Sequence, residues 1–360
     1  MTTTTNAPTT TRRDRSNQQA IGTLLTLLAL LWLFWSSDFA WVIVIGVMIK
    51  AGLYAVSAMS LNLEFGYTGL LNFGQVGFML VGAYTFALLV PHELGRAGTA
   101  AGSWPVWAAV LAAMVAGMAL GALLGIPTVR LRGDYLAIVT IAIAEILRFV
   151  VRALPGLGQS FGVIKYTVSF NDLTPQFVED LAARMDVPSS QLWLFLVCWL
   201  VVGLVLVVMA LMVRSPWGRV LRSLRDDEDA ARALGKNAFW YKLQVLMIGG
   251  AIAGLSGVLY ALDQSQLSPA KFLPIITFYA WTALILGGAG TLIGPISGSI
   301  IFWVLLTQTS TLAEDLFPSL SATAVSATRF ILMGVLIMVL MVFRPEGLFG
   351  SREELSLEIQ

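Results

Sequence analysis

Residues 192–213 read LWLFLVCWLVVGLVLVVMALMV, an apolar run with no charge in it. At 1.5 Å per residue, a helix of about 22 residues is about 33 Å long, enough to cross the ~30 Å hydrocarbon core of a bilayer. In lipid such a run is satisfied as a helix, because each backbone N–H and C=O then finds its partner within the segment. Spans of this kind are expected near 20–36, 40–63, 67–90, 105–125, 134–153, 191–213, 241–262, 274–290, 293–309 and 326–343. Composition agrees. The chain is 57% hydrophobic and 12% charged, against about 25% charged in soluble domains. The expected fold is an all-α integral membrane protein with about ten transmembrane helices, some broken at Gly-rich segments.

Loop charge fixes the expected sides, because Lys and Arg gather on the cytoplasmic face. Arg12, Arg13 and Arg15 precede the first span, and Arg130 and Arg132 follow the fourth. Arg214, Arg219, Arg222, Arg225, Arg232 and Lys236 follow the sixth, and Arg344 and Arg352 follow the tenth. Acidic residues dominate the other side, notably Asp172, Glu179, Asp180 and Asp186 in the external loop 154–190. Both termini are therefore expected in the cytoplasm. The Thr-rich residues 1–18 read as a disordered tail, 19–350 as one transmembrane domain, and 351–360 as a second tail. The first apolar segment is bulky and SSDFA lacks an A-x-A pattern, so it reads as an uncleaved span.

Several function classes drop out. One cysteine, Cys198, and one histidine, His92, leave no internal disulfide, no Cys/His metal cage and no His-based triad. A net charge of +1 argues against nucleic acid. No G-x-x-x-x-G-K-[ST] occurs, and LGKN at 234–237 lacks the upstream glycine, so ATP is not expected to bind this chain through a P-loop. Any energy comes from a separate subunit or an ion gradient.

The most charged stretch is RSPWGRVLRSLRDDEDAARALGKN, residues 214–237. Ser215 is a good N-cap and Pro216 suits the first helical position. Trp217, Val220, Leu221 and Leu224 form one apolar face. Asp226 or Asp227 can cap a second helix with Glu228 and Asp229 in its first turn, and Gly235 suits the position beyond its end. Two short helices meeting at an elbow are predicted. On physics alone the loop either lies on anionic lipid or docks a partner, and four consecutive acidic residues fit a basic protein groove better than lipid.

Five ordered blocks carry a resemblance: SLNLEFGYTGLLNFGQVGFMLVGAYT, VRLRGDYLAIVTIAIAEILRFV, SPWGRVLRSLRDDEDAARALGKN, LILGGAGTLIGPISGSI and VFRPEGLFG. Together they resemble the branched-chain amino acid ABC transporter permeases of the LivM type, over roughly residues 50–350. The resemblance implies a bacterial plasma-membrane importer with a second homologous permease, two cytoplasmic ATPases that hold ATP-Mg, and an external substrate-binding protein. It implies no cofactor in this chain. EDAARALG resembles the family's coupling motif, which implies ATPase coupling by Arg225, Asp226, Asp227, Glu228, Asp229, Ala230, Ala231 and Gly235, within a coupling loop spanning 214–240. Gln75 stands where the family usually carries a histidine, which leaves the substrate open. Urea or short-amide importers have similar permeases, and a stand-alone secondary transporter is the alternative of a different class.

Transporter sites favour spans interrupted by Gly or Pro in corresponding parts of two halves. EFGYTGLLNFGQVGF (64–78) and LGGAGTLIGPISG (286–298) fit. Thr68, Asn72 and Gln75 supply neutral polar groups in the first, and Gly287, Gly288 and Gly290 a deformable backbone in the second. Close helix packing explains such glycines equally well. Glu145, inside the fifth span, is a pathway residue by the same logic, or the partner of Arg148 three residues on. Lys50 lies within the second span or marks its boundary.

Overall fold

Helix α1 (Arg12–Ser36) starts well before the apolar run, because no Gly or Pro breaks the chain between Arg12 and Leu24 other than Gly22. The expected tail 1–18 is thus helical from Arg12, and its first part, like 351–360, lies outside the described residues. The computed structural model describes residues 12–36, 41–90, 92–94, 99–101, 104–128, 133–154, 164–166, 173–264, 266–316, 331, 334–335, 338 and 347–350. The long helices follow as α2 (Trp41–Leu61), α3 (Gln75–Leu89), α4 (Val106–Thr128) and α5 (Gly133–Ala153). After them come α6 (Gln176–Met185), α7 (Ser189–Arg214), α8 (Pro216–Asp226), α9 (Glu228–Ala233) and α10 (Ala238–Gln264). The last are α11 (Ile275–Gly287) and α12 (Gly294–Leu316). Among the described residues four helices are long and apolar enough to cross a membrane: Trp41–Gly66, Val106–Pro127, Ser189–Arg214 and Ala238–Gln264. Ile21–Trp35, Gln75–Leu89, Ile275–Gly287 and Gly294–Gln308 are shorter apolar helices. The expected span at 326–343 falls mainly outside the described residues.

Four short strands pair at one end of the bundle: β1 (His92–Leu94), β2 (Thr99–Ala101), β3 (Ile164–Tyr166) and β4 (Gln266–Leu267). They form an antiparallel sheet in the order β2-β1-β3-β4, with His92 opposite both Ala101 and Tyr166, and Ile164 opposite Leu267. Strands β1, β3 and β4 follow α3, α5 and α10, so these three helices end at the same end of the bundle. The segment 154–190, expected as a plain loop, contributes β3 and α6.

Helix α2 is the hub, packed against α7, α10, α11 and α12. Its backbone carbonyls accept from its neighbours: Ser256 Oγ donates to Leu53 O (2.9 Å), Ser299 Oγ to Ala51 O (2.6 Å) and Trp199 Nε1 to Met48 O (3.2 Å). Cys198 is fully buried beside Gly52. In a bilayer, where helices gain no hydrophobic advantage from meeting, close backbone approach and such bonds hold them together.

Backbones also approach closely where α3, α4 and α10 meet. A Cβ on Gly82 would overlap Gly254 O, and one on Gly117 would overlap Gly250 O. Backbone cannot yield there, and overpacking costs about 1–3 kcal/mol or more. Gly82→Val is expected to reduce folded yield and lower the melting temperature of detergent-purified protein by several degrees. Gly203→Ala, where a Cβ meets nothing within 4 Å, should leave both unchanged.

Candidate functional site

Two breaks in the spans meet at the end of the bundle opposite the sheet. The first ends α2. Its last turn widens into a π-helical turn, Asn62–Gly66, and residues 67–74 are not helical. The expected span 67–90 is therefore helical only from Gln75. The reason is local: Asn72 Oδ1 accepts from Gly74 N (2.8 Å), and Gly69 adopts φ +74. Both act against helix propagation. The second break lies between α11 and α12, where Gly288 (φ +105) and Gly290 (φ +80) take a left-handed backbone.

Asn62 joins the two. Its Oδ1 accepts from Gly290 N (2.8 Å), and its Nδ2 donates to Thr291 O (2.7 Å). One buried amide thus bonds both faces of the second break. A Cβ on Gly66 would lie 2.5 Å from Gly290 N, so the backbones nearly touch. The chain near the C-terminus joins as well, since Leu348 N and Phe349 N donate to Leu286 O and Gly287 O, both at 3.0 Å.

Glu64, fully buried, holds the first break closed. Its Oε2 accepts from Asn72 Nδ2 (2.8 Å), and its backbone O accepts from Leu70 N (2.8 Å). Neighbouring helices secure the rest of the segment. Thr140 Oγ1 accepts from Phe73 N (3.1 Å), Trp281 Nε1 donates to Asn72 O (2.9 Å), and Phe73 stacks on Trp281 with ring centroids 4.8 Å apart. Glu64→Leu removes an acceptor from a buried amide, which costs about 1–3 kcal/mol. Its melting temperature in detergent should fall accordingly, with Glu64→Gln, which keeps an acceptor oxygen, recovering part of the loss.

The charged stretch forms α8 and α9. Ser215 Oγ accepts from Gly218 N (3.5 Å), and Pro216 opens α8. Asp227, in extended conformation, caps α9 by accepting from Ala230 N (2.9 Å), and Gly235 follows that helix at φ +79. Leu221 and Leu224 are buried, and Leu224 packs with Ala231 and Ala238. Glu228 bonds Lys242 of α10 and Arg232 (2.7 Å). Asp226 and Asp229 are exposed. Arg232 also lies 3.7 Å from Asp229, whose side chain is 94% exposed, and a pair in such surroundings is worth little.

One contact links the loop to the breaks. Arg225, in the last turn of α8, donates from Nη1 to Gly66 O at 2.6 Å, the carbonyl that ends the π-helical turn. The side chain also lies against Gly69.

Of the residues singled out in the sequence, Thr68 and Asn72 belong to this break, and Gly287, Gly288 and Gly290 to its counterpart. All three polar side chains at 68, 72 and 75 are buried and bonded internally: Thr68 Oγ1 donates to Leu63 O (3.1 Å), and Gln75 Nε2 to Ser57 O (3.1 Å). Gly287 packs directly on Gly294. Glu145 is not a lone intramembrane charge, because Arg148 grips its Oε2 with Nε (3.0 Å) and Nη2 (2.6 Å). Lys50 lies within α2, exposed, its ammonium 5.7 Å from the Trp303 ring centroid. Sequence reasoning missed Asn62 and Glu64. A polar side chain flanking a glycine-interrupted span end was the available signal.

Residues 43–341 match the family described as branched-chain amino acid transport system / permease component. The chain belongs to this family. A high-affinity branched-chain amino acid transport system permease protein, LivM of Salmonella typhimurium, is 32% identical over 85% of this chain and 70% of its own length. The probable LivM of Methanocaldococcus jannaschii is 25% identical over 85% of this chain and 93% of its own. LivH of Escherichia coli, named as a permease of the same kind of system, is 24% identical over 83% and 92%. Guanosine and nucleoside ABC transporter permeases match about half of the chain at 25–26% identity. No solved structure matches the chain. The family is one of membrane subunits, and the apolar helices agree with that.

Proposed function

We propose that this chain is one of two permease subunits of an ATP-driven ABC importer in the bacterial plasma membrane, passing branched-chain amino acids. The observation that carries the reading is the Arg225–Gly66 bond. It ties a charged surface loop to the point where two interrupted spans meet. An element that receives work from outside must be joined to the part that moves, and here the joint includes a charge-assisted bond.

In this reading α8 and α9 lie in the cytoplasm, with ten spans and both termini on that side. The sheet of β1–β4 lies outside, facing a substrate-binding protein. Two ATPases hold ATP-Mg and grip the loop through Asp226 and Asp229. Asp227, Glu228, Ala230, Ala231 and Gly235 shape the grip, and Arg225 passes its motion to the breaks. Thr68, Asn72 and Gln75 act as internal bonds of the moving segment, while Gly287, Gly288 and Gly290 let the second break follow. Glu145, tied to Arg148, keeps a place on α5 beside the path. The second permease is a homologue, as the similarity to both LivM and LivH supports.

The test is reconstitution in liposomes with the second permease, the ATPases and the binding protein. ATP-dependent uptake of leucine, valine or isoleucine is expected. Uptake of urea or short amides in preference would reassign the substrate, and transport by this chain alone under an ion gradient would overturn the reading.

A further inference from the structure

At the break end of the bundle is a cavity of about 450 Å³, walled by Thr23 of α1, Val213 of α7, Arg222 and Arg225 of α8, Ile293 and Phe349. Among the described residues no carboxylate lines it. Arg222 donates from Nη2 to Val213 O (2.8 Å) and forms no ion pair among the described residues. A guanidinium has five N–H donors in a fixed fork, so one backbone bond leaves most of that fork for a ligand.

Depth and surroundings say what kind of ligand. Helix α7 has 26 residues, about 39 Å at 1.5 Å per residue. That exceeds the ~30 Å hydrocarbon core and nearly matches the ~40–45 Å that includes the headgroups. Val213, one residue from its end, therefore sits at headgroup depth. Both flanking spans present apolar side chains outward, Leu24, Leu27 and Leu31 on α1 and Leu200, Leu204 and Leu211 on α7. Ile293, at the cavity wall, is 57% exposed. The lining thus has a cationic pole and an apolar wall, at the level where a phospholipid has an anionic pole and an acyl chain. Basic pockets between spans recognise anionic headgroups in this way.

The geometry points to a binding site for one anionic phospholipid, its phosphate on Arg222 beside Arg225 and its chain along Val213 and Ile293. The site does not depend on the transport reading, and its occupant would brace the arginine that meets Gly66.

Native mass spectrometry of the purified chain tests it, with phosphatidylglycerol or phosphatidylcholine supplied in equal amounts. Wild type should retain one phosphatidylglycerol and at least fivefold less phosphatidylcholine. Arg222→Gln should lose most of that retention and Arg222→Lys recover part of it. Arg219→Gln, on the same helix but outside the cavity, should match wild type. Ile293→Trp fills the wall at an exposed position and should cut retention even where Arg222→Gln folds poorly. Equal retention of the two lipids, or retention unaffected by both cavity variants, would overturn the proposal. So would inorganic phosphate raising the melting temperature of lipid-free protein as much as phosphatidylglycerol does, because the ligand would then be the free anion.

Discussion

Replacing Asp226 and Asp229 together with lysine is expected to release the ATPases and abolish ATP-driven uptake, with the membrane domain intact. The choice of positions comes from the geometry of α8 and α9. Four acidic residues stand in a row, but they do different work. Asp227 caps α9 through Ala230 N, and losing an N-cap costs about 0.5–2 kcal/mol. Glu228 bonds Lys242 and Arg232, and so pins α9 to α10. Reversing either would unfold the elbow and so release a partner for an uninformative reason. Asp226 and Asp229 are exposed, so lysine there changes the displayed charge and little else. Four units of charge change should weaken binding to a basic groove by well over tenfold, since like-charge juxtaposition costs several kcal/mol. Co-purification of the ATPases measures it, with the melting temperature as control. Retained association and uptake in this variant would remove the docking role.

Much of the architecture was readable because it follows from one-dimensional signals. Apolar length located α2, α4, α7 and α10 within a few residues, since the bilayer imposes a minimum length. Capping chemistry located α8 and α9, because Ser215, Pro216 and Asp227 act on backbone groups only a few residues away. Glycines marked both breaks. What the sequence could not supply was the bonding across them. Asn62 and Gly290 are 228 residues apart, and nothing periodic connects them. For the same reason the internal partners of Thr68, Asn72 and Gln75 were not visible. A buried polar side chain has no sequence signature that names its partner. Glu145 is the reverse case. Its partner is three residues away, a spacing that helix geometry brings together, so the ion pair was already visible as an alternative.

Replacing Arg225 with glutamine should uncouple the machine without dismantling it. The bond from Nη1 to Gly66 O is short and charge-assisted. Such bonds contribute about 1.5–3 kcal/mol, equivalent to roughly 10- to 150-fold in a coupling equilibrium. Gly66 O ends the π-helical turn, and the same turn carries Asn62, whose amide holds Gly290 and Thr291. In the proposed reading, a pull on α8 reaches both breaks through this carbonyl. Removing the guanidinium leaves Asp226 and Asp229 in place, so the ATPases should still bind and hydrolyse ATP. Uptake should fall at least tenfold, and the number of ATP molecules hydrolysed per substrate should rise by the same factor. Arg225→Lys keeps a charge but loses the planar fork, and should fall between the two. The ratio of hydrolysis to uptake in liposomes is the deciding measurement. If that ratio is unchanged while both rates fall together, Arg225 serves the docking surface and the force travels by another route. An unchanged ratio with unchanged rates would mean that the bond to Gly66 only positions the loop.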